Sequence, residues 1–466
     1  MKNNYDVLKK SKRCFLIGIG GAGMSAIAHV LHRMGFEVSG SDIKESHYTS
    51  VLKNEGIKIF IGHNKKNIEG ADTVIYSTAI PENNVEMRAA VNKKIPLLAR
   101  SDVLAWILNS RKGIAISGTH GKTTTTSMIS LIFRGLDLDP IIMVGGELNE
   151  LGSNARHGKG EYVVAEACES DGSFLKYKPF ISVVTNIEGD HFDFYKDIDE
   201  IKQSFLKFIT NTISGGMVIL NGDEEYLKDF FKSDDKKIIY YGINPENHIY
   251  AENIKFSNLT SSYTLVIRDK EKDKKSGKIE VKLNVPGLHN IKNSLAAFAV
   301  CYGMGLDMEK ASDILKLFTG VKRRFEKRGE KKGAVIFDDY AHHPSEVKAT
   351  LEAAIQEKNK RIIIVFQPHR YSRLANLKDK FNGCFDTGDI LIITDVYGSG
   401  EQPIPGITGK TLIDTLLDNG FRNKIIYIPK LQDVTEYLEI NMKQDDMVLL
   451  MGAGDITRVT DEILKI

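Results

Sequence analysis

Residues Ile114–Met128 constrain the chain most: Ile-Ala-Ile-Ser-Gly-Thr-His-Gly-Lys-Thr-Thr-Thr-Thr-Ser-Met. The apolar run Gly113–Ile116 predicts a buried strand, Gly118–Thr123 a loop, and the pattern through Phe133 a helix. Strand, glycine loop and helix surround phosphate oxygens with backbone N–H groups and a positive helix end. Lys122 would then reach the terminal phosphates, and the Thr123 hydroxyl would hold Mg²⁺. The strict eight-residue phosphate loop needs glycine at position 116, where this chain has Ile116, so the loop is a shorter variant. The stretch Gly118, Thr119, His120, Gly121, Lys122, Thr123 and Thr124 is the expected ATP site.

A length of 466 residues leaves room for three domains, at roughly 150 residues each. A net charge of +2 gives no global field to recruit nucleic acid or an anionic membrane. Cys14, Cys168, Cys301 and Cys384 form no C-x-x-C pair, which argues against a disulfide scaffold or structural zinc and fits a reducing compartment. Met1–Lys12 is polar and basic, and no run reaches a membrane-spanning length. The expectation is a cytoplasmic enzyme.

Earlier in the chain, Cys14–Ile19 predicts a strand that enters Gly18-Ile19-Gly20-Gly21-Ala22-Gly23, a G-x-G-x-x-G match. Met24–Met34 reads as a helix and Phe36–Ser41 as a second strand, with Asp42 placed 19 residues beyond Gly23. This is the pattern of a dinucleotide-binding unit with an acid for a ribose hydroxyl. Physically it places a pyrophosphate on a helix N-terminus, and NAD, FAD and a UDP-sugar all carry one. Ile57–Ile61, Thr73–Ser77 and Ile95–Leu98 continue the unit as strands, with Ser77 and Thr78 at the sheet edge where open parallel sheets bind ligands. The first domain closes near Asn109.

In the second domain, Tyr162–Ala165 and Ile181–Thr185 predict strands ending in Glu166-Ala167-Cys168-Glu169-Ser170-Asp171 and Asn186-Ile187-Glu188-Gly189-Asp190-His191. Glu166 stands where a second acid completes a Mg²⁺ shell, and His191 is a candidate ligand or orienting group. Met217–Leu220 and Lys237–Tyr241 are further strands. Ser262–Arg268 and Ile279–Asn284 flank a charged segment that reads as a solvated hairpin tip. Gly287–Asn293 opens a helix over Ser294–Met304, where Asn and His are also ordinary caps.

A third domain begins near Gly320. Val321–Lys332 holds seven Lys or Arg residues and reads as a basic linker or a phosphate contact. Five strands follow: Ala334–Phe337, Ile362–Phe366, Ile390–Thr394, Ile425–Ile428 and Met447–Met451. Two polar clusters stand at strand ends, Asp338–Pro344 and Gln367–Arg373. Arg370 and Arg373, three apart at the predicted start of a helix, would both face a carboxylate or phosphate.

In this order and spacing the motifs resemble the Mur ligase family, ATP-dependent amide-forming enzymes of peptidoglycan precursor synthesis. The resemblance rests on Gly18–Met24, Gly118–Thr126, EACESDGSF (Glu166–Phe174), TNIEGDHFDFY (Thr185–Tyr195), VKRRF (Val321–Phe325), DDYAHHPSE (Asp338–Glu346), FQPHRYSR (Phe366–Arg373) and VYGSGEQPIPG (Val396–Gly406). It implies a three-domain α/β fold: a Rossmann-like UDP-binding domain over 1–109, a phosphate-loop ATPase domain over 110–320, and a Rossmann-like closing domain over 321–466. It favours a UDP-sugar over NAD at the first loop, with Gly20, Gly21, Ala22, Gly23, Met24, Ser25, Asp42, Ser77 and Thr78 as contacts. It implies ATP and Mg²⁺, with Thr123, Glu166 and His191 as metal ligands and His289 and Asn293 beside adenine. His342, Arg370 and Arg373 would line the substrate side, and His342 or His191 would take the amine proton. The implied substrates are UDP-N-acetylmuramate and L-alanine, handled without nucleic acid or membrane insertion by a monomer or weak homodimer. The chain departs from the family at Cys168, where Asp is common, and at Gly398 and Ser399, where Ala is common.

Overall fold

A computed structural model describes residues 4–192, 194–228, 230–269, 274–356 and 360–465. Three sheets organise them. The first has five parallel strands in the order Lys58–Ile61, Glu37–Asp42, Arg13–Ile17, Thr73–Tyr76 and Leu97–Ala99. Arg13–Ile17 lies at its centre, so the chain leaves it directly into the Gly18 loop and the helix Ala22–Arg33. Open parallel sheets gather ligands at such a switch point.

The second sheet has ten strands. Its parallel centre runs Lys237–Gly242, Met217–Asn221, Ile181–Val184, Lys112–Ser117, Tyr162–Glu166 and Ile141–Leu148. The strands Ile114–Ile116 and Ile181–Val184 are buried on both faces, which is why they read as continuous apolar runs. On one face the helices Lys122–Gly135 and Leu288–Met304 pack through Met128, Ile132, Leu295 and Phe298. On the other, Asp197 caps the helix Ile198–Thr210 by accepting from Glu200 N–H at 2.9 Å. That helix buries Ile201, Phe205, Phe208 and Ile209, one stripe of a 3.6-residue period. The same core continues into the first domain through Ile27, Leu31 and Leu104, so the two domains share a continuous apolar interior.

The third sheet orders Glu326–Lys331, Ala334–Asp339, Met447–Met451, Ile362–Phe366, Ile390–Ile393 and Lys424–Tyr427, parallel except for its first strand. Apolar clusters cover both of its faces.

Several elements differ from the sequence reading. The basic stretch at 321–332 is no linker: Glu326–Lys331 is an edge strand, antiparallel to Ala334–Asp339. The helix expected from Ser294 begins at Leu288, and neither His289 nor Asn293 caps it, since Gly287 occupies the cap without a side-chain bond. Ile141–Leu148, Ser153–Arg156 and Ile249–Ser257 are strands that composition did not suggest. The charged hairpin forms as Thr260–Asp269 against Lys274–Leu283, with its tip outside the described residues.

Candidate active site

The phosphate loop is fixed by close backbone approach. Gly118 has φ +140°, and a Cβ there would lie 2.0 Å from Thr185 Oγ1; Gly121, at φ +81°, would meet Asn293 Oδ1 at 2.5 Å. Only glycine fits either place. The neighbouring strand end stitches the loop down. His120 N–H donates to Asn186 Oδ1 at 2.9 Å, Asn186 Nδ2 donates to His120 O at 3.1 Å, and Glu188 N–H donates to Thr119 Oγ1 at 2.8 Å. Lys122 Nζ folds over the loop, donating to Gly118 O, to Thr119 O at 3.0 Å and to Glu169 Oε1 at 2.9 Å. Burial pulls the Lys122 pKa down, but Glu169, Cys168 and Glu166 outweigh it and leave the ammonium raised. Glu169 is 2% exposed, and its Oε2 takes no hydrogen bond from a described residue. Sequence reading did not single out Glu169, because only the fold carries it to Lys122.

Glu166 ends the strand Tyr162–Glu166, with Oε1 accepting from Gly145 N–H at 2.7 Å. A Cβ on Gly145 would crowd Glu166 Oε2 at 2.8 Å, so glycine keeps that oxygen clear. One anchored and one clear carboxylate oxygen, in a cleft that Thr123 also borders, is a donor set that fits a hard cation such as Mg²⁺. His191 lies in the left-handed region at φ 56°. Its Nε2 stands 3.6 Å from Asp190 Oδ2 and 3.7 Å from Glu169 Oε1, and burial lowers its pKa, leaving a neutral imidazole. Thr123, Glu166, His191 and Lys122 border one cleft of about 800 Å³.

A second, smaller cavity of about 220 Å³ opens behind the loop, bordered by His120, Gly121, Thr124, His289, Asn293 and Phe325. Asn293 Oδ1 accepts from the Thr125 hydroxyl at 3.2 Å. Burial, then Arg324, pushes His289 down to about 4. Arg324, Asn290 and Glu188 also border the cavity. Motif reading left Asn290 and Glu188 unassigned, though both lie inside quoted motifs.

The C-terminal clusters meet the cleft from the opposite side. His342 Nδ1 lies 2.9 Å from Tyr340 O. A carbonyl only accepts, so Nδ1 carries the hydrogen and Nε2 is left as the basic nitrogen. Burial outweighs the nearby Glu346 and lowers His342 to about 4. The two arginines do not share a helix face as expected. Arg370 is the residue before the helix Tyr371–Leu377, at φ 64°, with Nε 4.0 Å from Glu401 Oε1. Arg373 forks onto Asp190, with Nε to Oδ1 and Nη2 to Oδ2 both at 3.2 Å, and its Nη1 donates to His369 Nδ1 at 2.9 Å. Against the cost of burial, Arg373 and then His191 hold Asp190 well below the usual carboxylate range. Both arginines border the 800 Å³ cleft, but Arg373 also ties the C-terminal domain to the central one.

At the first glycine loop, the Asp42 carboxylate folds back. Its Oδ2 accepts from Gly20 N–H and its Oδ1 from Ile43 N–H, each at 2.8 Å. Gly21 N–H closes onto Gly18 O at 3.2 Å. Ala22, Gly23 and Met24 open the helix, where no preceding turn supplies acceptors for their N–H groups. Two expected contacts are engaged elsewhere. The Met24 side chain is buried in the shared core, and Ser25 is 3% exposed with its hydroxyl donating to Ala22 O at 2.9 Å. Asn154 of the central domain donates to the same Ala22 O at 2.6 Å. Ser77 Oγ accepts from Ala79 N–H at 3.3 Å, and Thr78 is exposed; neither borders the large cleft, whereas Ala22 and Tyr48 do. One cleft therefore runs from the first helix start, past Lys122 and Glu166, to His342 and Arg370.

Family models match three stretches: "Mur ligase family, catalytic domain" over residues 15–112, "Mur ligase middle domain" over 116–301 and "Mur ligase, glutamate ligase domain" over 323–454. The chain belongs to the Mur ligase family, ATP-dependent ligases that form carbon–nitrogen bonds. It is 43% identical over 458 residues to the UDP-N-acetylmuramate–L-alanine ligase of Acetivibrio thermocellus, covering 98% of this chain and 96% of that one. It is 43% identical over 460 residues to the enzyme of that name from Caldanaerobacter subterraneus, covering 98% of each. The crystal structure of UDP-N-acetylmuramate–alanine ligase from Thermotoga maritima superposes with a TM-score of 0.82 at 28% identity over 98% of both chains.

Proposed function

We propose that the chain joins L-alanine to the lactyl carboxylate of UDP-N-acetylmuramate at the cost of ATP, giving UDP-N-acetylmuramoyl-L-alanine, ADP and phosphate in peptidoglycan precursor synthesis. The observation that carries this is the single cleft bordered by Ala22, by Lys122 and Glu166, and by His342 and Arg370. It lets a pyrophosphate-bearing sugar, a nucleotide and an amino acid meet at one place. In this reading residues 1–109 hold the UDP-sugar, 110–320 hold ATP, and 321–466 close over both. The names of the relatives support the substrates.

A carboxylate is a poor acyl donor. Transfer of the γ-phosphoryl group onto a lactyl oxygen makes an acyl phosphate, the alanine amine attacks its carbonyl carbon, and inorganic phosphate leaves. Lys122 trades its bond to Glu169 for the transferring phosphoryl group and stabilises the charge that spreads there. Gly118, Thr119, His120, Gly121, Lys122 and Thr124 cradle the phosphates, and His289 and Asn293 border the nucleotide base. When bound, Mg²⁺ would be held by Thr123 and Glu166, with His191 as a further ligand, and would neutralise phosphate charge. At the other end, Gly20, Gly21, Ala22 and Gly23 present N–H groups to the UDP pyrophosphate, with Asp42 bracing the loop. Arg370 and Arg373 face the acidic groups of the substrates. The amine reacts as the free base, and the bare Nε2 of His342 or the neutral His191 accepts its proton. Closure of the C-terminal domain excludes water from the acyl phosphate. The four free cysteines fit a reducing, cytoplasmic setting, and we take the chain as a monomer or weak homodimer.

Phosphate release from ATP tests the reading. It should require UDP-N-acetylmuramate and L-alanine together. Among alanine, serine, glycine and a preformed tripeptide, alanine should be the preferred acceptor. Release that needs neither substrate, or that prefers the tripeptide, would overturn it.

A further inference from the structure

His120 of the phosphate loop, Glu188 of the central domain and His343 at the start of the C-terminal helix Pro344–Ala354 converge where the two domains touch. Each offers one ligand atom, and the three atoms lie within 4.8 Å of one another. His343 is 2% exposed, and its Nε2 has no hydrogen-bond partner among the described residues. His120 Nε2 is likewise buried without a hydrogen bond, while its Nδ1 faces Glu346. The Glu188 carboxylate is close to both rings without bonding them. Glu188 Oε2 stands 3.6 Å from His120 Nε2; His343 Nδ1, 3.9 Å from the same oxygen, caps the helix by accepting from Ser345 N–H at 3.4 Å, which leaves Nε2 as the free ligand atom of that ring. The two separations from Glu188 are too long for hydrogen bonds. The 3.6 Å between Glu188 and His120 matches one edge of a tetrahedron around an ion with bonds of ~2.0–2.2 Å, which measures roughly 3.3–3.6 Å.

We infer that His120, Glu188 and His343 form a binding site for a divalent transition-metal ion of the zinc class, separate from the Mg²⁺ position beside Thr123 and Glu166. Two imidazoles and one carboxylate select zinc, cobalt or nickel, whereas Mg²⁺ takes oxygen donors. The surroundings are those of a metal-bound histidine. Glu346 Oε1 lies 3.2 Å from His120 Nδ1, on the ring edge away from Glu188. A carboxylate there fixes the hydrogen on Nδ1 and turns Nε2 toward an ion. The Ser345 hydroxyl steadies Glu188 by donating to Oε2. His120, Glu188 and Ser345 all border the nucleotide cavity, so the fourth ligand position opens toward it, for water or a phosphate oxygen. Two ligands come from the central domain and one from the C-terminal domain. An ion bound here therefore cross-links the closure interface and opposes reopening.

Cobalt(II), the spectroscopic stand-in for zinc, tests the site on the whole protein stripped with chelator and held in excess Mg²⁺. The expected result is one equivalent bound with the intense visible band of tetrahedral coordination, displaced stoichiometrically by Zn²⁺. His343→Asn keeps a helix-capping side chain but removes the imidazole, and should weaken cobalt binding at least tenfold with an unchanged melting temperature in chelator. Glu166→Gln, which alters the Mg²⁺ position, should leave cobalt affinity within about threefold. Three results would each overturn the site: no saturable binding above the Mg²⁺ background, a weak octahedral spectrum, or an unaltered band in His343→Asn. Any of them would leave His120 as an imidazolium clamped between Glu188 and Glu346.

Discussion

The chain builds strand, glycine loop and helix twice, and the two copies diverge in what stands behind the loop. In the first, Gly21 precedes the helix in extended backbone at φ −73°, and Asp42 spends its carboxylate on Gly20 N–H and Ile43 N–H. In the second, Gly121 is left-handed at φ 81°, neighbouring Thr185 and Asn186 pin the loop, and the helix opens on Lys122. Helix N-termini attract anions in both. Only the second adds a lysine cation, paired with the buried Glu169. On the proposed reading, the first loop would hold a phosphate pair still and the second would follow charge as it moves. Local fold sets where a phosphate sits; the charged side chains beyond the glycines set what happens to it.

The largest expected effect separates the loops outright. Lys122→Ala should cut turnover several hundred-fold or more, since a contact to a transferring phosphoryl group contributes about 3–4 kcal/mol. Calorimetry should find UDP-sugar affinity unchanged within a few-fold. Near-normal turnover would erase the distinction between the loops. Next, Arg373→Ala should lower kcat/KM for alanine or the UDP-sugar more than tenfold, and ATP affinity should hold within a few-fold. Arg373→Lys should not rescue it, because lysine cannot fork onto Asp190. Retained activity in both variants would reduce Arg373 to a structural partner of Asp190. In the first loop, Asp42→Ala strips charge-assisted acceptors from two N–H groups, which costs about 1–2 kcal/mol. We expect KM for the UDP-sugar to rise roughly tenfold (the same free energy as a ratio), with kcat changed less than threefold. A fall in kcat as large as that of Lys122→Ala would show both loops in the chemistry.

The smallest effect is on stability. Burial lowers His342 and His343 to about 4 and His369 to about 3. The unfolded chain therefore binds more protons below the ordinary histidine value near 6.5, and stability falls as pH drops from about 6.5 toward 4. His120 runs the other way: Glu346 and Glu188 outweigh burial and raise it to about 9, so its contribution is present below about 6.5 and lost as pH rises through 9. Melting temperature should peak near neutral pH. His342→Asn should recover about 1–2 kcal/mol of the loss at pH 5. An acid limb of the melting curve identical in His342→Asn would contradict the burial argument.

Much of this was legible in the sequence where one physical pattern decides. Ile362–Phe366 is buried along its whole length and could be read from its apolar run alone. The two glycine loops were legible because glycine, helix start and flanking strand coincide. The strands Ile141–Leu148 and Ser153–Arg156 were not, since one carries Gly145 and Gly146 and the other has the polar sequence SNAR. Glu169 and Glu346 lie inside quoted motifs without a role of their own, and their meaning comes from partners far away in the chain, Lys122 and His120. Arg370 looked like a helix residue because spacing cannot reveal a left-handed backbone. Ser25 and Met24 looked like phosphate contacts because a motif does not show which side chains the next domain covers.

Isotope transfer tests the central claim most directly, namely that the second loop moves a phosphoryl group onto the carboxylate held by way of the first. With both lactyl carboxylate oxygens of UDP-N-acetylmuramate labelled with oxygen-18, the account predicts one labelled oxygen in each released phosphate and the other in the new amide. Released phosphate without label, at a normal rate of amide formation, would contradict it.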